Sequence, residues 1–412
     1  MKIVFVHGSP YGFGGIETWL ARFTNRLVAD GHEVALLTRP FGEDWDETSA
    51  IVDDIARNAT VHMGARRWFG QGSGKTPSLR EADVLFACNL DSLLRAAAVQ
   101  PQLARAPRLI AGVFHPREYT APRSPFKRRW VQHVSRRIVL DLPVENFVFC
   151  GDVVARDTGK ALARDLSRSP VLPLAIDMDR FRPPPDRPVD RTKIASVARL
   201  TPYYTHHRQM VRVIRDLRDR GHDFSYHVYG DGPERQSLED EVRRLGVDHA
   251  VFLHGTVPYD RLGEAVTDAF ACIGTGTALL ESAACGVPAL VAIDSHRGPA
   301  TYGFIQNTTG TDIGGYVPGQ PEYDIAQRLL WLAGLGEDEY RRVANGSRAR
   351  AEEFSLDRLV PRFVDMLGAA HPVPLSVSAS DRAIGQLDWL LEAVLLNLGA
   401  PDLMMQRYVR PC

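Results

Sequence analysis

The sequence is poor in sulfur, in net charge and in long apolar runs. Five cysteines (Cys88, Cys150, Cys272, Cys285 and Cys412) are spread over 412 residues with no CxxC pair. An odd number in mostly apolar contexts excludes a disulfide framework and reads as reduced thiols of a cytosolic protein. Lys and Arg total 49 against 50 for Asp and Glu, a net charge of -1. The whole-molecule field therefore gives no argument for nucleic acid as a partner. No stretch approaches the roughly 18 to 20 apolar residues of a membrane span. The opening MKIVFVHGSP is too short an apolar run for a signal peptide and reads as a first strand. Thirteen histidines show no HExxH and no paired metal spacing, so no metal site is expected.

What is present is ordinary globular composition, 24% charged and 44% hydrophobic. One core rarely grows past about 250 to 300 residues, so two domains are the default. KIVFVHG reads as a buried strand, followed by the glycine-rich SPYGFGG. A helix follows, with Trp19, Leu20, Phe23, Leu27 and Val28 at helical spacing, closed by Gly31-His32 ahead of the strand EVALLT. Strand, glycine loop, helix, strand is a Rossmann-like opening. Further strands are expected at 84–88, 109–114 and 146–151.

The pattern restarts near residue 190. KIASVARL (193–200) and FSYHVYG (224–230) read as strands around a helix at 208–220. Helices at 233–245 and 260–268 then alternate with strands at 250–254, 270–273 and 288–292. The expected fold class is α/β, with two Rossmann-like domains in series, 1–172 and 189–353. Pro183, Pro184 and Pro185 mark 173–188 as the linker, since they continue neither helix nor sheet. Asp177 and Asp179 form a DxD there; turn and capping work is the preferred reading over a metal-diphosphate site. GQGSGKT (70–76) ends like a phosphate-binding P-loop, but Phe69 stands where the first glycine is required, so it reads as a polar loop. In the tail 369–412, DRAIGQLDWLLEAVLLNLG reads as an extra C-terminal helix with Ile384, Leu387, Leu391, Val394, Leu395 and Leu398 on one face. It docks on the body or on a second subunit, which leaves a homo-oligomer open. Being acidic, it is less suited to a membrane surface.

A glycine turn entering a helix exposes backbone N–H groups and the positive end of the helix dipole, which together bind phosphate. The sequence offers this twice. One loop is Gly12, Gly14 and Gly15 before Ile16-Glu17; the other is Gly274 and Gly276 before Thr277 to Glu281. One loop in each domain fits a ligand held in a cleft between them. Glu281 is expected in the first turn of its helix, where the dipole favours a carboxylate. It has two open readings: a helix cap, or an acceptor of two hydrogen bonds from vicinal ribose hydroxyls.

With these motifs in order, the chain resembles the family 4 (group 1) glycosyltransferases, retaining, nucleotide-sugar-dependent enzymes of the GT-B fold. The matching stretches are GGIETWLARFTNRLVADGHEVALLT, AIDMDRFRPPP, SVARL, YGDGPE, VFLHGTV and LLESAACGVPALV. FSLDRLVPRFVDML resembles the family's closing helix, which implies a crossing back to the N-terminal, acceptor-side domain over 354–368. The resemblance covers residues 1–368.

It implies the following site. Glu281 matches the last glutamate of the EX7E motif and holds the ribose. The backbone of Thr277, Ala278, Leu279 and Leu280 lies near the diphosphate, and Gly14 and Gly15 approach diphosphate and sugar. Tyr229, Gly230, Gly232, Thr256 and Val257 line the base. Arg199 neutralises the diphosphate, and His115, in GVFHPRE, stands beside the donor sugar. Fixed N–H dipoles and a guanidinium stabilise the charge that grows on the leaving diphosphate, so no metal or other cofactor is implied. The donor is a UDP-, GDP- or TDP-sugar. The leaving phosphate helps to deprotonate the acceptor, and no protein nucleophile is named.

The sequence departs from the family twice. Ile273 stands where the first glutamate of EX7E belongs, and no lysine follows Arg199 in TPYYTHHRQM. Arg208 is the expected substitute for that lysine, with His206 and His207 as alternatives. A basic run, HPREYTAPRSPFKRRWVQHVSRR, places seven cations between 117 and 137 beside Tyr119, Phe126 and Trp130. It is either a solvated helix face or a contact for an anionic inner membrane surface or a lipid-linked or phosphorylated acceptor. The expected activity is transfer of a sugar to a hydroxyl of a glycan, glycolipid or natural product, as in polysaccharide biosynthesis. The alternatives are a nucleotide-sugar 2-epimerase and a non-catalytic nucleotide-binding relative.

Overall fold

The computed structural model describes residues 1–7, 15–38, 49–63, 77–100, 103–115 and 137–374, with Ser378 and Ser380. Gly12, Gly14, the GQGSGKT loop, the basic run up to 136 and the C-terminal helix lie outside the described residues. The chain divides into two compact units. One is Met1–Pro173 together with the chain from Asp357, and the other is Leu174–Leu356.

The first unit is built on β1 (Lys2–Val6), α1 (Gly15–Ala29), β2 (Glu33–Thr38), α2 (Ser49–Asn58), β3 (Thr60–Met63) and α3 (Pro77–Arg80). It continues with β4 (Val84–Ala87), α4 (Leu90–Val99), β5 (Arg108–Val113), β6 (Phe147–Phe149) and α5 (Asp152–Leu162). The sheet order is β3-β2-β1-β4-β5-β6, with every pairing parallel. A parallel sheet is covered on both faces, which is why β1 reads as the unbroken apolar run IVFV. Its outer side chains meet an aromatic cluster. Trp19 of α1 stacks on Phe23 at 4.3 Å between centroids and meets Phe86 at 5.6 Å. Helix Leu356–Ala369 (here α12) inserts Phe363 into that cluster, 5.1 Å from Phe23 and 5.3 Å from Phe86. Buried aromatic pairs of this kind contribute about 0.5 to 1.5 kcal/mol each beyond area burial.

The second unit runs β7 (Asp190–Val197), α6 (His206–Asp219), β8 (Ser225–Tyr229), α7 (Arg235–Leu245), β9 (Val251–Gly255), α8 (Leu262–Thr267) and β10 (Ala269–Gly274). After these come α9 (Gly276–Ala284), β11 (Ala289–Ala292), β12 (Ala300–Phe304), β13 (Tyr323–Asp324), α10 (Ile325–Ala333) and α11 (Glu337–Glu352). The order is β13-β12-β11-β10-β7-β8-β9. Strands β12 and β13, absent from the sequence reading, extend the parallel core antiparallel.

The proline segment is not a free tether: it packs on this second unit. Phe181 is buried and meets the Tyr259 ring at 5.7 Å. Asp177 accepts the N–H groups of Asp179 and Arg180 at 3.0 and 3.1 Å, a turn-capping job. Among the described residues no cluster of three or more His, Cys, Asp or Glu is placed to hold a metal.

Candidate active site

In each unit the strand order reverses beside the first strand, and that is where open α/β sheets bind ligands, at the strands' carboxyl ends. In the second unit the reversal lies between β7 and β10, which are neighbours in the sheet. The loops leaving β7, β10 and β11 meet there.

The β10 loop is Thr275, which caps α9 in an extended conformation. Gly276 donates its N–H to Ile313 O at 2.8 Å. Thr277 and Ala278 are half-buried, while Leu279 and Leu280 turn into the core. The first turn of α9 thus presents backbone N–H groups and the positive dipole end. Glu281 is not in that turn. The helix starts at Gly276, so Glu281 falls in its second turn, beyond the first-turn N–H groups where the dipole favours a carboxylate. It is 3% exposed and accepts the Tyr259 hydroxyl at 3.2 Å. Ile273 is buried in the hydrophobic core with Phe270 and Leu290, so this position supplies no acid.

Arg199 is exposed on the loop after β7; burial raises the pKa of the Tyr204 hydroxyl, and the Arg199 charge acts to lower it. That loop zips to YGDGPE. Ala198 N–H donates to Tyr229 O and Leu200 N–H to Asp231 O, at 3.2 and 2.9 Å. Both glycines of YGDGPE are fixed by this contact. A Cβ on Gly230 (φ 153°) would lie 1.9 Å from Ala198 O, and one on Gly232 (φ 154°) 2.4 Å from Leu200 O. Their first job is close backbone approach, which shapes the rim where Tyr229 packs on His254 at 4.6 Å. Thr256 is exposed and Val257 half-buried just beyond β9.

The expected substitutes for the missing lysine separate. Arg208 points its guanidinium at Glu234 and Ser237, 2.6 and 2.5 Å away, so its charge is already partnered. His206 and His207 are excluded as cations. Both lie in the core, His206 beside Ser196 at 3.3 Å and His207 beside Tyr226 at 2.9 Å. Burial lowers His206 to about 4 and holds His207 well below the usual imidazole value. Neutral rings sealed under the loop neutralise no diphosphate.

Three further residues at this edge escaped the sequence reading. Asp294, after β11, accepts the Tyr203 hydroxyl at 3.1 Å, and its N–H donates to Gly314 O, whose residue packs on Thr275. Burial raises its carboxyl to about 7, against the Tyr203 hydrogen bond, which lowers it. The signal was faint: a lone acid after an apolar run reads as an ordinary loop residue.

In the first unit the reversal lies between β1 and β4. His7, at the end of β1, approaches Glu17 of α1, with Nε2 and Oε1 3.3 Å apart. Gly15 starts α1 and is exposed. His115 follows β5 and is half-buried, its predecessor Phe114 resting edge-on against Trp19 at 4.9 Å. The His7–Glu17 pair was not foreseen, because ten residues of sequence separate the two.

Comparison with known proteins narrows the chemistry. Residues 177–310 match the family described as glycosyl transferases group 1. The GDP-mannose-dependent alpha-(1-6)-phosphatidylinositol monomannoside mannosyltransferase of Mycolicibacterium smegmatis is 29% identical over 339 residues, 73% of this chain and 82% of that protein. The Mycobacterium tuberculosis protein of the same name is 26% identical over 389 residues, 86% and 94% of the two chains.

Residues 177–310 form a group 1 glycosyl transferase region.

Solved structures place the chain in the GT-B fold. TarM superposes with a TM-score of 0.60 at 11% identity, over 90% of this chain and 99% of that one. WaaG, a glycosyltransferase involved in lipopolysaccharide biosynthesis, gives 0.55 at 14% identity, over 89% and 100%. The stretch matched to the family takes in Arg199, the two rim glycines, Thr275, Glu281 and Asp294. The matched stretch therefore includes the loops that converge at the β7/β10 reversal.

Proposed function

We propose that this protein moves a mannosyl or related hexosyl group, with retention, from a GDP-sugar to a hydroxyl of a lipid-linked polyol. The observation that carries the donor is the edge just described: an open helix N-terminus, an exposed arginine and a carboxylate paired with a tyrosine, all from one unit. The N–H groups of Thr277 and Ala278 and the Arg199 guanidinium face the diphosphate in this reading. They stabilise its growing charge as the glycosidic bond breaks, without needing a metal. Tyr259 and Glu281 take the ribose hydroxyls, and the leaving phosphate accepts the acceptor's proton. The choice of GDP and of a lipid-linked acceptor is supported by what the two mycobacterial relatives are named for. The basic run at 117–137 suits an anionic lipid surface. Among the described residues no helix is long and apolar enough to cross a membrane.

The test is calorimetric binding of GDP-mannose, UDP-glucose, UDP-galactose and TDP-glucose. Mass spectrometry then follows transfer to phosphatidylinositol mannosides in vesicles, and NMR reads the anomeric configuration of the product. GDP-mannose is expected to bind most tightly, and transfer to persist in EDTA. Interconversion of free nucleotide sugars would favour the epimerase reading; nucleotide binding without transfer or hydrolysis would favour a non-catalytic relative. Glu281→Ala is expected to weaken donor binding roughly 10- to 100-fold, the loss of charge-assisted hydrogen bonds of about 1.5 to 3 kcal/mol. An unchanged dissociation constant would reject the ribose role.

A further inference from the structure

We propose that Tyr259 is a specificity-determining residue of the donor site: its hydroxyl, committed to Glu281, makes the site select ribonucleotide donors and reject 2′-deoxynucleotide donors. The proposal rests on the donor reading above. It excludes TDP-sugars, whose nucleoside is built on 2′-deoxyribose, from the donors that the sequence leaves open.

The tyrosine is held by its surroundings. It begins a one-turn 3₁₀ helix, Tyr259–Arg261, closed by Arg261 N–H donating to Pro258 O at 2.9 Å. The Arg180 guanidinium lies over its ring, 4.8 Å from the centroid. Buried Phe181 meets the same ring at 5.7 Å with the planes 66° apart. A ring in contact with both a cation and an aromatic edge has little freedom to swing. Its hydroxyl is aimed at Glu281 Oε1, 3.2 Å away. Glu281 is fixed in turn, on the second turn of α9 between buried Leu280 and Ser282. All of these residues belong to the second unit.

The ligand's chemistry follows from where the protons are. A tyrosine hydroxyl has one proton, and here it goes to Glu281. Its oxygen can then only accept, and an ionised carboxylate accepts at both oxygens and donates nothing. The pair therefore offers acceptors and no donor. Its complement is a group that brings two neighbouring donors, as the vicinal 2′ and 3′ hydroxyls of a ribose do. A 2′-deoxyribose brings one. The acceptor facing the missing hydroxyl then loses water on binding and gains no partner, which is how a site built around a hydroxyl rejects analogues that lack it. A carboxylate free to rotate re-aims at whichever hydroxyl remains and so tolerates the loss. The bond from Tyr259 holds Oε1 and removes that freedom.

Calorimetry on the full chain with GDP, 2′-deoxy-GDP, UDP and 2′-deoxy-UDP tests this. The wild type is expected to bind the ribonucleotide about 10- to 100-fold more tightly than its 2′-deoxy counterpart, as the loss of a charge-assisted hydrogen bond predicts. Tyr259→Phe keeps a ring against Arg180 and Phe181 but has no hydroxyl. It is expected to shrink that ratio at least about fivefold, with a melting temperature close to that of the wild type. A merely structural role would weaken ribo and deoxy forms together and leave the ratio where it was. Arg180 is exposed, so Arg180→Ala leaves the core intact while freeing the ring, and should lower the ratio in the same direction by less. Should Tyr259→Phe not fold, Arg180→Ala decides in its place. Equal affinity of the wild type for GDP and 2′-deoxy-GDP, or a Phe variant that keeps the wild-type ratio, would overturn the proposal and leave the donor reading standing. Failure of all four nucleotides to bind the wild type would instead overturn the donor reading, and this proposal with it.

Discussion

Gly230→Ala is expected to abolish stable folding of the second unit, not merely to trim it. The added methyl would sit 1.9 Å from the carbonyl oxygen of Ala198 and 2.9 Å from its carbon. Both are backbone atoms, so no rotamer change relieves the clash. Nor can the chain step aside. Gly230 N–H donates to Gly255 O at 2.7 Å, and Ala198 N–H donates to Tyr229 O at 3.2 Å. The residue is therefore held from both sides, between the extensions of β7 and β9. Its φ of 153° adds strain that an alanine would carry whatever the space. Steric strain in a region that cannot relax is one of the few routes to a loss of about 4 kcal/mol or more. Urea denaturation followed by circular dichroism, with soluble yield as a second readout, checks this. A midpoint close to that of the wild type would show that the rim is softer than its hydrogen bonds suggest.

How far the sequence spoke for this molecule depended on what each residue's neighbours were. The strand–helix–strand starts at 2–38 and 190–229 were legible because periodic apolar residues and closing glycines agreed. Strands β12 and β13 were not, because one contains a glycine at φ 86° and the other is two residues long. Glu281 was placed one turn early because Gly274-Thr275-Gly276 was read wholly as turn, although Gly276 already opens the helix. The histidines at 206 and 207 were weighed as cations by chemical type alone. Their spacing held the better signal: they share the stripe of Met210, Val211, Val213, Ile214 and Leu217, all buried. A side chain on the apolar stripe is core whatever its chemistry. The Asp294 cluster had no local signal, because its members lie on three loops that only the sheet order brings together.

The buried histidines carry the second large prediction, a steep loss of stability in acid. The His206 and His207 rings lie 4.2 Å apart between centroids, tilted by 39°, each with one nitrogen unpartnered and shut off from water. Burial is the main cause of the lowered value for both, and for His207 the neighbouring His206 adds to it. The fold therefore favours the neutral rings, while the unfolded chain protonates near pH 6.5. Stability from these groups is fully present above pH 6.5 and is lost as the pH falls below it, until the folded protein itself takes up protons near 4. For His206 alone the change from 6.5 to about 4 corresponds to about 3 kcal/mol. His207 shifts in the same direction and steepens the curve. Urea denaturation at pH 7.5 and 4.5 should show a larger drop for the wild type than for His206→Gln/His207→Gln, since carboxylate contributions are common to both proteins and cancel in the comparison. Glutamine keeps a hydrogen-bonding group toward Ser196 and Tyr226 but binds no proton, so the double variant should have lower stability at pH 7.5 and a flatter slope. Equal slopes in the two proteins would mean that the pair protonates in place, and a cation beneath the β7 loop would then return as a candidate partner for the diphosphate.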